Sequence, residues 1–161
     1  MTAFSIRPIE PQDNPFVEAL IKSVFDELSL PKTGTAYEDL SLKTMFENYN
    51  RENSMYFVLE KEGKIIGGAG IAVLENSLND ICELQKMYFA PEARGLGLGA
   101  QLMEICLKKA KTFGFTACYL ETLPEMKAAQ KLYVKSGFDY LCQPLGTTGH
   151  TSCPVWMLKK L

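Results

Sequence analysis

Three glycines at alternate positions, Gly95, Gly97 and Gly99, stand in the stretch Pro91-Glu-Ala-Arg94-Gly-Leu-Gly-Leu-Gly-Ala100. The stretch lies between an apolar run that reads as a strand and a long amphipathic run that reads as a helix. Residues without a β-carbon let backbone N–H groups approach a ligand closely, and the start of a helix adds the positive end of its dipole. A strand, a glycine turn and a helix in that order therefore predict a cradle for a pyrophosphate. The competing reading is a tight turn that only needs positive φ, and such a turn seldom uses three alternating glycines.

The remaining pattern predicts one domain over residues 1–161. Residues 4–9 alternate apolar with polar and stop before Pro11, as a short edge strand does. Asn14 reads as the cap of a helix with Pro15 at its first position and Val17, Leu20, Ile21, Val24 and Phe25 at helical spacing, ended by Pro31. After a loop around Gly34, a second helix is predicted over 37–49. Residues 55–61 and 64–74 read as a hairpin about Glu62-Gly63, followed by a third strand at 81–89. Then come a helix at 97–113, a strand at 115–121, a helix at 125–136 and strands at 138–143 and 154–160. The fold class is α/β (α+β), with a single mixed, mostly antiparallel sheet of about six or seven strands flanked by about four helices.

Composition excludes several classes. With 47% hydrophobic and 22% charged residues the chain is expected to be globular. No apolar run approaches the ~20 residues of a membrane helix, and residues 1–10 lack a signal-peptide layout, so a cytoplasmic protein without membrane attachment is expected. Five widely spaced cysteines fit neither a disulfide framework nor a zinc knuckle, and a single histidine, His150, does not furnish a multi-histidine zinc site. No metal is expected. A net charge of −2 argues against nucleic acid as a partner, but residues 1–80 are acidic and residues 94–135 basic, so an anionic ligand is expected on the second stretch.

Two kinds of cofactor site use such a cradle. Gly95-x-Gly97-x-x-Ala100, with Glu121 ending the next strand, also fits a dinucleotide pattern. Against it, five residues separate the strand from the first glycine, the upstream strands form hairpins, and the chain is too short for a second, substrate domain. The segment Arg94-Gly-Leu-Gly97-Leu-Gly99, together with Ala129-x-x-Leu132-Tyr133-x-x-x-Gly137-Phe138, resembles the two signatures of the GNAT family of N-acetyltransferases. The order β-α-α-β-β-β-α-β-α-β-β is similar to that family's over most of residues 4–160.

The resemblance implies that acetyl-CoA lies in a V-shaped opening between the third hairpin-side strand and the strand after the cradle helix. Met87, Tyr88 and Phe89 would pair with the pantetheine arm. Arg94, Gly95, Leu96, Gly97, Leu98, Gly99 and Ala100 would hold the pyrophosphate. Met126 stands where many members carry an asparagine that contacts the cofactor arm. Tyr133 resembles the tyrosine that protonates the leaving thiolate, a task suited to a phenol of pKa ~10. Two carboxylates compete for the role of base: Glu121, whose spacing from Tyr133 is similar to that in ribosomal-protein alanine acetyltransferases, and Glu83, on the strand where histone-type relatives carry one. Glu121 is the first choice, and either can act by attracting the cationic amine.

The expected reaction is direct transfer to a primary amine in a ternary complex, with acceptor specificity set by the first two helices and the C-terminal loop. The acceptor is a small molecule, an amino acid or a protein N-terminus. His150 in that loop is expected to be a surface residue, with substrate contact or proton relay as the alternative. A non-catalytic acyl-CoA sensor is the alternative of another class, and homodimerisation is common in the family.

Overall fold

Alternating apolar and polar residues build the first half of a sheet in which β1 (Phe4–Pro8), β2 (Met55–Lys61), β3 (Lys64–Val73) and β4 (Ile81–Phe89) pair antiparallel in that order. The computed structural model describes residues 3–161; Met1 and Thr2, which the expected domain and N-terminus include, lie outside the described residues. Glu62 (φ 50°) and Gly63 (φ 80°) make the two-residue turn of the β2–β3 hairpin, both in the left-handed region that suits strand twist. Three more strands follow: β5 (Ala117–Thr122), β6 (Asp139–Tyr140) and β7 (Val155–Lys160). The sheet order is β1-β2-β3-β4-β5-β7-β6, with the last strand inserted between its two predecessors.

Helices α1 (Asn14–Glu27), α2 (Met45–Tyr49), α3 (Leu98–Thr112) and α4 (Lys127–Lys135) flank this sheet. The period of two along β4 sends Cys82 and Leu84 into a core with Leu102 and Cys106 of α3, while Glu83 and Gln85 project from the opposite face. On that opposite face Val17, Ile21 and Phe25 of α1 pack with Met45 and Tyr49 of α2. Burial of each such large aliphatic side chain stabilises by about 1.5–3 kcal/mol.

Three expectations shift. The α1 cap is Asp13; Asn14 is the first helical residue. Its side chain instead ties α1 to α2, accepting from the Phe46 N–H at 2.7 Å and donating to Glu47 at 2.8 Å. The predicted helix at 37–49 is two 3₁₀ turns and only five α-helical residues, because Asp39 takes an extended conformation (φ −62°, ψ 119°) that breaks the run, and Leu40 is left 88% exposed. The strand predicted at 138–143 pairs only over Asp139–Tyr140. Beyond it the chain leaves the sheet, and the loop reaches the Tyr119 hydroxyl and the Glu75 carbonyl through the Leu145 and Thr147 amides. Four cysteines are buried and Cys142 is exposed.

One pairing positions everything that follows. β4 and β5 run parallel but pair only at Ile81–Ala117, Cys82–Cys118 and Glu83–Tyr119. Beyond Glu83 the two strands diverge, and β4 continues to Phe89 with one edge free of β5.

Candidate active site

A bulge re-aims β4 where it leaves β5. Gln85 opposes Gly70 and Tyr88 opposes Gly68, so Lys86 and Met87 together face the single residue Ala69, and Lys86 takes φ 49°. The glycines of β3 make room for the support of this bulge: a Cβ at Gly68 would come within 2.6 Å of the Tyr56 hydroxyl oxygen. Tyr56, fully buried, lies across β3 and donates to the Lys86 carbonyl at 2.8 Å.

The glycine turn follows directly. Gly95 and Gly97 have φ of 73° and 74°, and a Cβ on either would meet nothing within 4 Å, so the left-handed backbone borders open space. Gly97 caps α3, whose first backbone bond runs from the Gln101 N–H to the Gly97 carbonyl at 3.2 Å. The N–H groups of Leu98, Gly99 and Ala100 therefore have no acceptor within the helix. This donor set fits a diphosphate. Arg94 lies differently from its neighbours. Its guanidinium forks onto Glu27 at 2.8 and 2.9 Å and donates to the Phe89 carbonyl, and its own N–H bonds the Pro91 carbonyl, so it latches the cradle to the end of α1.

A cavity of about 310 Å³ runs from the cradle along Met87–Phe89 to Ala129 and Tyr133. A second, of about 660 Å³, is bounded by the segments before and within α2, by Glu83–Tyr88 of β4, by Leu120–Leu123 and by Thr147–Cys153 of the C-terminal loop. The two share four residues: Met87, Tyr88, Met126 and Tyr133. Tyr133 is 5% exposed, and burial raises its pKa above the ordinary phenol value that its expected role assumed, so its hydroxyl stays protonated. Its ring packs edge-on to Phe138 at 6.1 Å.

The larger cavity collects the titratable groups. Glu83 is 7% exposed, and burial, helped by the charge of Glu121, lifts its pKa to about 7 against opposing influences from Gln85, His150 and Lys86. Its Oε1 accepts from Gln85 Nε2 at 2.6 Å, and Gln85 Oε1 accepts from the Tyr49 hydroxyl at 2.6 Å. Glu121 accepts from the Tyr119 hydroxyl at 2.6 Å and from Thr148. His150 is paired with Asp39 through Nε2 at 2.9 Å, and Lys86 reaches the same carboxylate at 3.1 Å. Burial pushes Asp39 up, but the His150 hydrogen bond and the Lys86 charge outweigh it and hold the carboxylate below its ordinary range.

With this geometry, the comparisons with known proteins decide the family. The family model "Acetyltransferase (GNAT) family" matches residues 21–138. The chain belongs to the GNAT acetyltransferase family. It is 41% identical over 157 residues to the uncharacterized N-acetyltransferase YjgM of Escherichia coli, covering 97% of this chain and 94% of that one. An acetyltransferase structure from Staphylococcus aureus superposes with a TM-score of 0.88 at 19% identity, over 99% of both chains. The PaiA N-acetyltransferase of Thermoplasma acidophilum, solved with coenzyme A, matches with a TM-score of 0.71 at 17% identity, also over 99% of both.

The acetyltransferase fold removes the dinucleotide alternative for Gly95, Gly97 and Ala100. That site belongs to a mostly parallel sheet, whereas β1 to β4 pair antiparallel and the parallel β4–β5 ladder extends over three residues only. The sequence-derived candidates fall into two groups within the acetyltransferase. Met87–Phe89, Arg94, Gly95, Gly97, Leu98, Gly99 and Tyr133 line the smaller cavity, whereas Leu96 and Ala100 do not and are exposed. Glu83 and Glu121 line the larger one, as does His150. Among the described residues no helix is long and apolar enough to cross a membrane.

Sequence reasoning missed Tyr49, Gln85, Lys86, Asp39 and Tyr56. Only Gln85 carried a readable signal, standing two residues from Glu83 on the same face of a strand.

Proposed function

We propose that the enzyme transfers an acetyl group from acetyl-CoA to a primary amine by direct attack in a ternary complex. The observation that carries this reading is the meeting of the two cavities at Met87, Tyr88, Met126 and Tyr133, with a diphosphate cradle in one and a carboxyl group of pKa about 7 in the other.

Acetyl-CoA, when bound, supplies an acetyl carbon activated as a thioester. The N–H groups of Gly95–Ala100 and the dipole of α3 bind the diphosphate, and the free edge of Met87–Phe89 pairs with the amides of the arm. Glu83 takes the proton of the attacking amine. A carboxyl group titrating near neutrality is both ionised in a useful fraction and basic enough for this task, which favours Glu83 over Glu121 as the base. Glu121, tied down by the Tyr119 and Thr148 hydroxyls, attracts and orients the substrate cation. Tyr133 keeps its proton until the sulfur departs, then donates it. As the C–N bond forms and the C–S bond breaks, one proton thus passes to Glu83 and one leaves Tyr133.

The acceptor is a cationic small-molecule amine. Carboxylates outnumber basic groups around the larger cavity, and Lys86, its most buried cation, is held by Asp39. The test is release of the CoA thiol from acetyl-CoA across a panel of amines, comparing the wild type with Glu83→Gln. Amine-dependent release in the wild type, reduced in the variant, is the expected result. Tight CoA binding without turnover on any amine refutes the enzymatic reading in favour of a sensor.

A further inference from the structure

We infer that Gln85 and Tyr49 are positioning residues for acetyl transfer, a two-link hydrogen-bond chain from α2 to β4 that dictates which oxygen of Glu83 acts as base. The inference rests on the assignment of Glu83 as base. Tyr49 Oη meets Gln85 Oε1 and Gln85 Nε2 meets Glu83 Oε1, each at 2.6 Å.

The direction of the chain is set at its far end. Burial raises the pKa of Tyr49 well above its ordinary value, so the phenol is a donor throughout the working pH range. A donor on Gln85 Oε1 orients the carboxamide with its N–H bonds toward Glu83. Oε1 of Glu83 therefore always faces a donor and cannot share a proton with it. The proton taken from the amine must sit on Oε2. A carboxylate free to rotate would present either oxygen and lose the alignment that efficient proton transfer requires.

Other groups face Glu83 as well. Tyr119 and Glu121 approach from β5, Lys86 from its own strand, and His150 and Cys153 from the C-terminal loop, with Asp39 behind Lys86 and His150. Among those that favour the ionised form, the Gln85 hydrogen bond is the largest influence, ahead of the charges of His150 and Lys86.

The test is the pH profile of kcat/KM for the wild type, Gln85→Leu, Tyr49→Phe and Glu83→Gln, with the Kd for CoA measured alongside. Gln85→Leu should move the acid limb upward by about one pH unit, the size of one charge-assisted hydrogen bond. Tyr49→Phe, which keeps the ring, should move it upward by less, and neither should change the Kd for CoA. Should Gln85→Leu fail to fold, Tyr49→Phe decides alone. An unmoved limb overturns the inference. So does a downward shift, which would mean that the amide carbonyl accepts from protonated Glu83. A limb that persists in Glu83→Gln refutes the base itself, whereas a limb lost in Glu83→Gln but unmoved in Gln85→Leu refutes only the positioning.

Discussion

Replacing Gly97 with alanine separates the two things its backbone does. At φ 74° an L-residue is strained by about 1–2 kcal/mol, partly offset by the lower entropy of the unfolded alanine chain, leaving a net loss of about 1 kcal/mol. For a protein of this length that is a fall in Tm of about 2–4 °C. Beyond its chain neighbours the new methyl meets no protein atom within 4 Å, so tertiary packing adds nothing. On the proposed reading the methyl would take the space of a phosphate oxygen, and loss of one charge-assisted hydrogen bond, at about 1.5–3 kcal/mol, should weaken CoA binding by about 10- to 100-fold. Gly114 supplies the control. Its φ is 91°, a Cβ there also meets nothing within 4 Å, and it lies just beyond the opposite end of α3. Gly114→Ala should lower Tm as much as Gly97→Ala while leaving CoA affinity intact. Calorimetric titration with CoA and thermal melts of both variants make the comparison. Wild-type affinity in Gly97→Ala, or equal loss in Gly114→Ala, would refute the cradle.

Tyr133→Phe should reduce kcat by about 10²- to 10⁴-fold with little change in the Kd for CoA, measured by thiol release and titration. Glu83 also carries a stability cost. Its folded pKa of about 7 lies above the ordinary 4.5, so the stability it lends is complete below pH 4.5 and drains away as pH rises to about 7. Glu83→Gln should accordingly melt higher than the wild type at pH 8, by up to about 3 kcal/mol of stability, and match it at pH 4.5; equal melting at pH 8 would contradict the burial-driven shift. His150→Ala frees the C-terminal loop from Asp39 and should raise KM for the amine while sparing CoA binding; an unchanged KM would remove the loop from the acceptor site.

The sheet and the glycine turn before α3 were legible because their signals are local. Alternation marks β1 to β4, Glu62-Gly63 marks a hairpin turn, and alternating glycines before an amphipathic run mark a cradled helix start. The helix at 37–49 was misjudged because Asp39 breaks it to serve a tertiary partner: its carboxylate meets His150, 111 residues further along the chain. A window of local periodicity cannot register that contact. The Tyr49–Gln85 bond, across 36 residues, was invisible for the same reason. Glu83 and Glu121 both stand on the strands read from the sequence and line one cavity, but their ranking depends on burial, which only the packed structure supplies. Arg94 was located by its motif, yet its pairing with Glu27 follows from where α1 ends.

The brief β4–β5 pairing has a thermodynamic corollary. A ladder interrupted in the middle of a sheet leaves a seam whose main-chain groups must be satisfied by solvent or by a guest. A molecule whose own amides complete the seam acts as a removable strand. Resistance to unfolding will then track the cellular supply of that molecule by mass action, and amide exchange at Gln85–Phe89 should slow when CoA is added.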